Sequence, residues 1–114
     1  SWEPGPAVFP EPPQWVTDVV PTQRGHFWAP DVIRHNGRWL LYYSVSTFGK
    51  QTSAIALATN TTLNPDDPAY KWVDEGIVIR TTLESDHNAI DPSLLSASDG
   101  TLWMAFGSFW SGIK

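Results

Sequence analysis

The sequence predicts an all-β fold built from repeated four-stranded units, the blades of a β-propeller, of which this chain holds an incomplete part. Three observations carry that prediction. Helix-forming windows are absent, and short aromatic and apolar runs alternate with Gly, Asn, Asp and Pro turn signals. The second half of the chain also repeats the first. Trp39-Leu40-Leu41-Tyr42-Tyr43-Ser44 lies over Leu102-Trp103-Met104-Ala105-Phe106-Gly107, and Gly37 aligns with Gly100 and Gly49 with Gly112, at one offset of about sixty residues. An open β-sandwich is the main structural alternative.

Taken in order, residues 1–26 are expected to be a loop leading from a preceding blade. Pro4, Pro6, Pro10, Pro12, Pro13 and Pro21 forbid helix and central strand over most of it, leaving only Ala7-Val8-Phe9 as a short edge strand. Residues 27–80 read as a complete blade. Its strands are Ala29 to Arg34, Trp39 to Ser46, Ser53 to Thr59 and Tyr70 to Ile79, the first two joined by an Asn36-Gly37 hairpin signal. Residues 81–114 read as the first half of the next blade, with strands Asn88 to Ala97 and Leu102 to Trp110 around Ser98-Asp99-Gly100-Thr101. A ring cannot close on one complete blade and half of another, so the remaining blades are expected from the rest of a longer protein, another copy or a partner chain.

The bulk numbers narrow the function. With 41% hydrophobic and 17% charged residues the chain is globular, and a net charge of -5 disfavours a phosphate backbone, so no nucleic-acid partner is expected. No apolar run reaches membrane-spanning length, and Ser1-Trp2-Glu3-Pro4 is no signal peptide. With no cysteine, disulfides and thiolate metal sites are excluded. Seven Trp, five Phe and three Tyr are an excess. Most are expected in the core, but flat rings also suit a carbohydrate site, where they pack on the apolar face of a sugar.

Asp91 is the first candidate site residue. It stands between Ile90 and Pro92 in a run, Asn88 to Leu95, that reads as a buried strand, and an ionised carboxylate away from water costs several kcal/mol unless paired or hydrogen-bonded. The plain alternative is an acid that fixes the turn before Pro92. Asp31 has a similar context after Ala29-Pro30 and reads as a turn fixer rather than a catalytic group. His26, His35 and His87 show no metal-ligand spacing, so no metal ligand is named.

Four stretches, His26-Phe27-Trp28-Ala29-Pro30-Asp31, Tyr43 to Gly49, Asn88-Ala89-Ile90-Asp91-Pro92 and Phe106 to Lys114, occur in the order in which they resemble the endo-1,5-α-L-arabinanases of glycoside hydrolase family 43. The resemblance implies a five-bladed propeller with its site at the mouth of the central tunnel, and inverting cleavage of arabinan. Inversion uses one carboxylate as general base on a water and another as general acid on the leaving oxygen, roughly 6.5–9.5 Å apart. By its context, Asp91 matches a third acid that raises the pKa of the general acid by like-charge repulsion. The base would precede Ser1 and the acid would follow Lys114, so the chain alone is expected to be inactive. Trp28 and Phe48 match positions where rings pack on arabinose units, and Asn88 and Ser108 match polar neighbours of the reacting sugar. The resemblance also implies a calcium or other ion in the central tunnel, held near a histidine of a later blade, and secretion of the parent protein. A noncatalytic polysaccharide-binding module or propeller assembly fragment, and a related five-bladed hydrolase acting on xylan or fructan, are the alternatives.

Overall fold

The computed structural model describes residues 2–114; Ser1, the first residue of the Pro-rich loop, lies outside the described residues. The order of elements is α1 (Trp15–Val19), β1 (Phe27–His35), β2 (Arg38–Val45), β3 (Ser53–Asn60), β4 (Val73–Thr81), β5 (Ser93–Ser96) and β6 (Leu102–Ala105). β1 to β4 form one antiparallel meander in chain order, and β5 pairs with β6 in a second, two-stranded antiparallel sheet. The fold among the described residues is therefore predominantly antiparallel β.

The turns explain the register. Asn36 and Gly37 both take positive φ, 48° and 77°, as the tight hairpin between β1 and β2 requires; a right-twisted strand pair closes in two residues only with such a turn. At the equivalent place between β5 and β6, Gly100 donates to the Ala97 carbonyl at 3.0 Å with φ of 86°. Within β1 the pairing slips between Trp28 and Asp31. Pro30 lies in that irregularity, where a residue without an N–H breaks no ladder bond.

The structure corrects four sequence expectations. α1 is a helix between Pro13 and Pro21, five residues long and without a side-chain N-cap. Tertiary contact holds it: Val16 and the following Val20 are buried against Tyr43, Val45, Ala56 and Ala58, and the alanines of β3 leave room for them. Burying such side chains contributes about 1.5–3 kcal/mol each, more than a short helix lacks in intrinsic propensity. Trp15 Nε1 donates to Asp74 Oδ2 at 3.0 Å and the Tyr43 hydroxyl to Asp74 Oδ1 at 2.9 Å, tying α1 and β2 to β4. Burial first, and then the Asp74 carboxylate, push the Tyr43 hydroxyl far above the usual phenol range.

Second, Ala7-Val8-Phe9 is not a strand; Val8 and Phe9 pack on the core from a loop. Third, the expected strands Asn88 to Ala97 and Leu102 to Trp110 shrink to the four-residue β5 and β6, and β4 begins at Val73 rather than Tyr70. Fourth, many aromatic rings lie outside the core: Trp103 is 63% exposed opposite Leu95, which is 65% exposed, because a two-stranded sheet covers neither face of itself.

Segment 88–94, which joins the sheets, is gripped by side chains of the first one. Thr81 Oγ1 accepts from the Ala89 N–H at 3.0 Å, Ser44 Oγ from the Asp91 N–H at 3.0 Å, and Asp31 Oδ2 from the Leu94 N–H at 2.7 Å. Three backbone donors that a continuous strand would have given to a neighbour are satisfied this way. The segment can therefore run irregularly while Asn88, Ala89 and Ile90 stay buried.

Candidate active site

One cleft, of about 390 Å³, brings together three of the five residues singled out in the sequence. Trp28 comes from β1, Phe48 from the turn after β2, and Asn88 from the segment between the sheets. Ile90, Phe109 and Trp110 complete its apolar wall, with Lys50 the cation at its edge. Phe48 is 92% exposed, so its ring projects into the open cleft rather than packing in the core. The turn that carries it is closed by the Lys50 N–H donating to the Thr47 carbonyl at 3.0 Å, with Gly49 in a left-handed conformation.

Asn88 is buried to 2% exposure, and its side-chain oxygen has no hydrogen-bond partner among the described residues. An orphaned buried acceptor costs about 1–3 kcal/mol.

Asp91 and Ser108 are not among the lining residues, although each adjoins one, Ile90 and Phe109 respectively. Asp91 is exposed and left-handed, with φ of 54°, and this corrects the reading of a carboxylate within a buried strand. Its charge stays in contact with water, so no desolvation cost falls on the fold; the cost taken instead is the αL backbone, which the Ser44 bond helps to hold. Asp31, by contrast, has both oxygens committed to backbone N–H groups, of Val32 at 2.9 Å and of Leu94 at 2.7 Å, in keeping with a turn-fixing role.

The far wall depends on Gly107. Its N–H donates to the Ile90 carbonyl at 2.8 Å, and a Cβ at this position would stand 2.8 Å from the Gly112 carbonyl oxygen. Phe106 and Lys114 exchange two backbone bonds beyond it, while Phe109 and Trp110 take successive positive φ values of 57° and 45°. Such backbone conformations are uncommon for bulky residues, so the surrounding bonds must hold these two rings at the cleft. The motif that ends in Lys114 contained both rings, but a strand reading hid their turn; the positive φ values had no sequence signal other than the flanking Gly107 and Gly112.

Near the cleft, Asp86 Oδ1 lies 2.6 Å from His87 Nδ1 and Asp86 Oδ2 lies 3.8 Å from Lys114 Nζ. The hydrogen bond with His87 first, and then the Lys114 charge, hold the Asp86 carboxyl below the usual range. Among the described residues no group of three or more His, Cys, Asp or Glu side chains could hold a metal ion.

The arrangement can hold a flat, partly apolar ring between aromatic side chains, accept a hydrogen bond from it at Asn88, and set a solvated carboxylate close by. No carboxylate is among the residues that line the cleft itself.

A family model, Glycosyl hydrolases family 43, matches residues 1–114. The chain is 49% identical to an extracellular exo-α-(1→5)-L-arabinofuranosidase of Cellvibrio japonicus, over 100% of this chain and 33% of that protein. It is 47% identical to extracellular endo-α-(1→5)-L-arabinanase 1 of Bacillus subtilis, over 100% of this chain and 34% of that protein. Among solved structures, an exo-1,5-α-L-arabinanase from a bovine ruminal metagenomic library superposes with a TM-score of 0.93 at 55% identity, covering 98% of this chain and 37% of the other. The α-L-arabinanase of Cellvibrio cellulosa complexed with arabinohexaose superposes with a TM-score of 0.89 at 48% identity, covering 93% and 34%. The chain thus spans about a third of the length of the relatives it matches.

Proposed function

The chain belongs to glycosyl hydrolases family 43, and from that membership we propose that it is the second blade and part of the third of a five-bladed propeller that cleaves α-1,5-linked arabinan with inversion. Asp91 serves as the acid that tunes the general acid. Trp28 and Phe48 pack on arabinose rings, while Asn88 and Ser108 contact hydroxyls of the reacting sugar. The general base and general acid come from outside this chain, in the same protein or in a partner, and the chain alone does not hydrolyse arabinan. The relatives named extracellular support secretion of the parent protein.

The observation that carries this reading is the cleft in which Trp28, Phe48 and the unpartnered Asn88 oxygen meet, with Asp91 adjoining it through Ile90. A carboxylate close to another acid stabilises that acid's protonated form, so that it can donate to the leaving oxygen near neutral pH.

The test has two parts. The protein carrying this chain is incubated with linear arabinan, and the first-formed anomer is read by proton NMR; inversion is expected, and a retained anomer would overturn the mechanism. This chain alone is examined by light scattering and the same assay, with a monomer lacking activity expected. Hydrolysis by that monomer would show that the essential carboxylates are all within it.

A further inference from the structure

Phe48 is 92% exposed, so packing among the described residues does not hold its ring at the cleft. Its place is set by the path of the backbone, residues 47–52, between the end of β2 and the start of β3. That path begins and ends at a neck. Val45 pairs with Ala54 at the end of the β2–β3 ladder, and one step further along the same register Ser46 meets Ser53, their hydroxyl oxygens 2.7 Å apart. Both residues are buried, Ser46 to 3% and Ser53 to 0% exposure. Gln51 Nε2 also donates to the Leu83 carbonyl at 3.2 Å, and Thr22 Oγ1 lies 2.7 Å from Thr47 Oγ1. Those two bonds are exposed, and water competes for each partner; the Ser46–Ser53 bond is shielded from that competition.

Stability alone does not call for hydroxyls at the neck. β3 carries alanine at 54, 56 and 58, and replacing both members of a buried hydrogen-bonded pair by apolar groups of similar shape is nearly neutral. A directional bond adds one preferred separation and orientation of the two loop ends.

We propose that Ser46 and Ser53 are positioning residues for sugar binding: their shielded hydrogen bond fixes the neck of the loop, so that Phe48 stands in the cleft before a sugar arrives. The inference rests on the reading of the cleft as an arabinan site in which Phe48 packs on a sugar ring. A ring held only by its backbone loses less freedom on binding when its loop is already fixed, and the difference appears in affinity rather than in the chemical step.

The test measures arabinan kinetics and thermal unfolding of the intact protein that carries this chain. The variants are Ser53→Ala, the pair Ser46→Ala/Ser53→Ala, Phe48→Ala, and each serine variant combined with Phe48→Ala. Ser53→Ala leaves the buried Ser46 hydroxyl without this partner, so its melting temperature falls; the pair variant leaves no such orphan and recovers most of the fall. Both are expected to raise KM about threefold or more with kcat within about twofold, so that affinity follows the bond while stability follows the orphan. With Phe48→Ala in place, neither serine variant is expected to raise KM further, because the ring they position is gone. A parental KM in the pair variant, or a serine effect that persists in full without Phe48, would overturn the positioning role and leave the reading of the cleft intact. A parental KM in Phe48→Ala would overturn the stacking reading and this inference with it. Where Ser53→Ala fails to fold, the pair variant with and without Phe48→Ala decides the same question.

Discussion

The Asp91 N–H donates to the hydroxyl oxygen of Ser44, 3.0 Å away and 47 residues earlier in the chain. Ser44 is fully buried in β2, and Asp91 is exposed and left-handed, so a rigid strand sets the backbone of a solvated acid. Ser44→Ala leaves that N–H without its partner and costs about 1 kcal/mol. Turnover on arabinan is expected to fall while KM stays within about twofold, because the loop loses its hold on Asp91 and the sugar contacts remain. Unchanged kcat would show that the bond does not position Asp91.

Asp91→Asn removes the charge and keeps the shape. In the intact protein it is expected to cut kcat strongly and to leave arabinan affinity largely unchanged. Activity within a few-fold of the unsubstituted enzyme would refute the tuning role.

Trp28→Ala and Phe48→Ala test the aromatic wall. Each is expected to weaken binding of arabino-oligosaccharides by about 1 kcal/mol or more, read by calorimetry on folded protein. Phe48 is 92% exposed, so its removal should leave the melting temperature nearly unchanged, which separates a ligand contact from a packing contact. Equal affinity in both variants would rule out stacking.

Gly107→Ala adds a Cβ that would stand 2.8 Å from a backbone oxygen, at a φ of 106°. Backbone must move to relieve this, and the movement passes to Ser108, Phe109 and Trp110. A drop of several degrees in melting temperature is expected, together with weaker sugar binding; a variant as stable as the parent would mean that the turn is not close-packed as described.

Asp86 gives a pH signature. Its folded pKa lies below the ordinary value of 3.8, chiefly through the His87 hydrogen bond. A depressed folded pKa contributes stability above the unfolded value, and that contribution is lost as pH falls through the folded one. The melting temperature of the parent should therefore exceed that of Asp86→Asn near neutral pH, with the gap closing in acid below the ordinary carboxylate range. A gap that widens on acidification would reverse the sign and refute the clasp.

The sequence by itself determined the repeat, the strand order and three residues that the fold brings to one cleft. Asn36-Gly37 announced the hairpin because a right-twisted strand pair closes in two residues only with positive φ, and Gly49 and Gly112 marked equivalent turns in both repeats. Trp28, Phe48 and Asn88 were recoverable from their motifs, and the cleft joins them. Tertiary structure alone decided α1, whose five residues lack a cap and stand only because Val16 and Val20 fill the space left by Ala56 and Ala58. It also decided that Asp91 is solvated. Apolar neighbours on both sides read as a strand, but the donors of Ala89, Asp91 and Leu94 find Thr81, Ser44 and Asp31 instead of a neighbouring strand. Local pattern reports which residues seek burial; it does not report where a distant hydroxyl or carboxylate will capture a backbone N–H, and here three such captures set the path of the segment that carries Asp91.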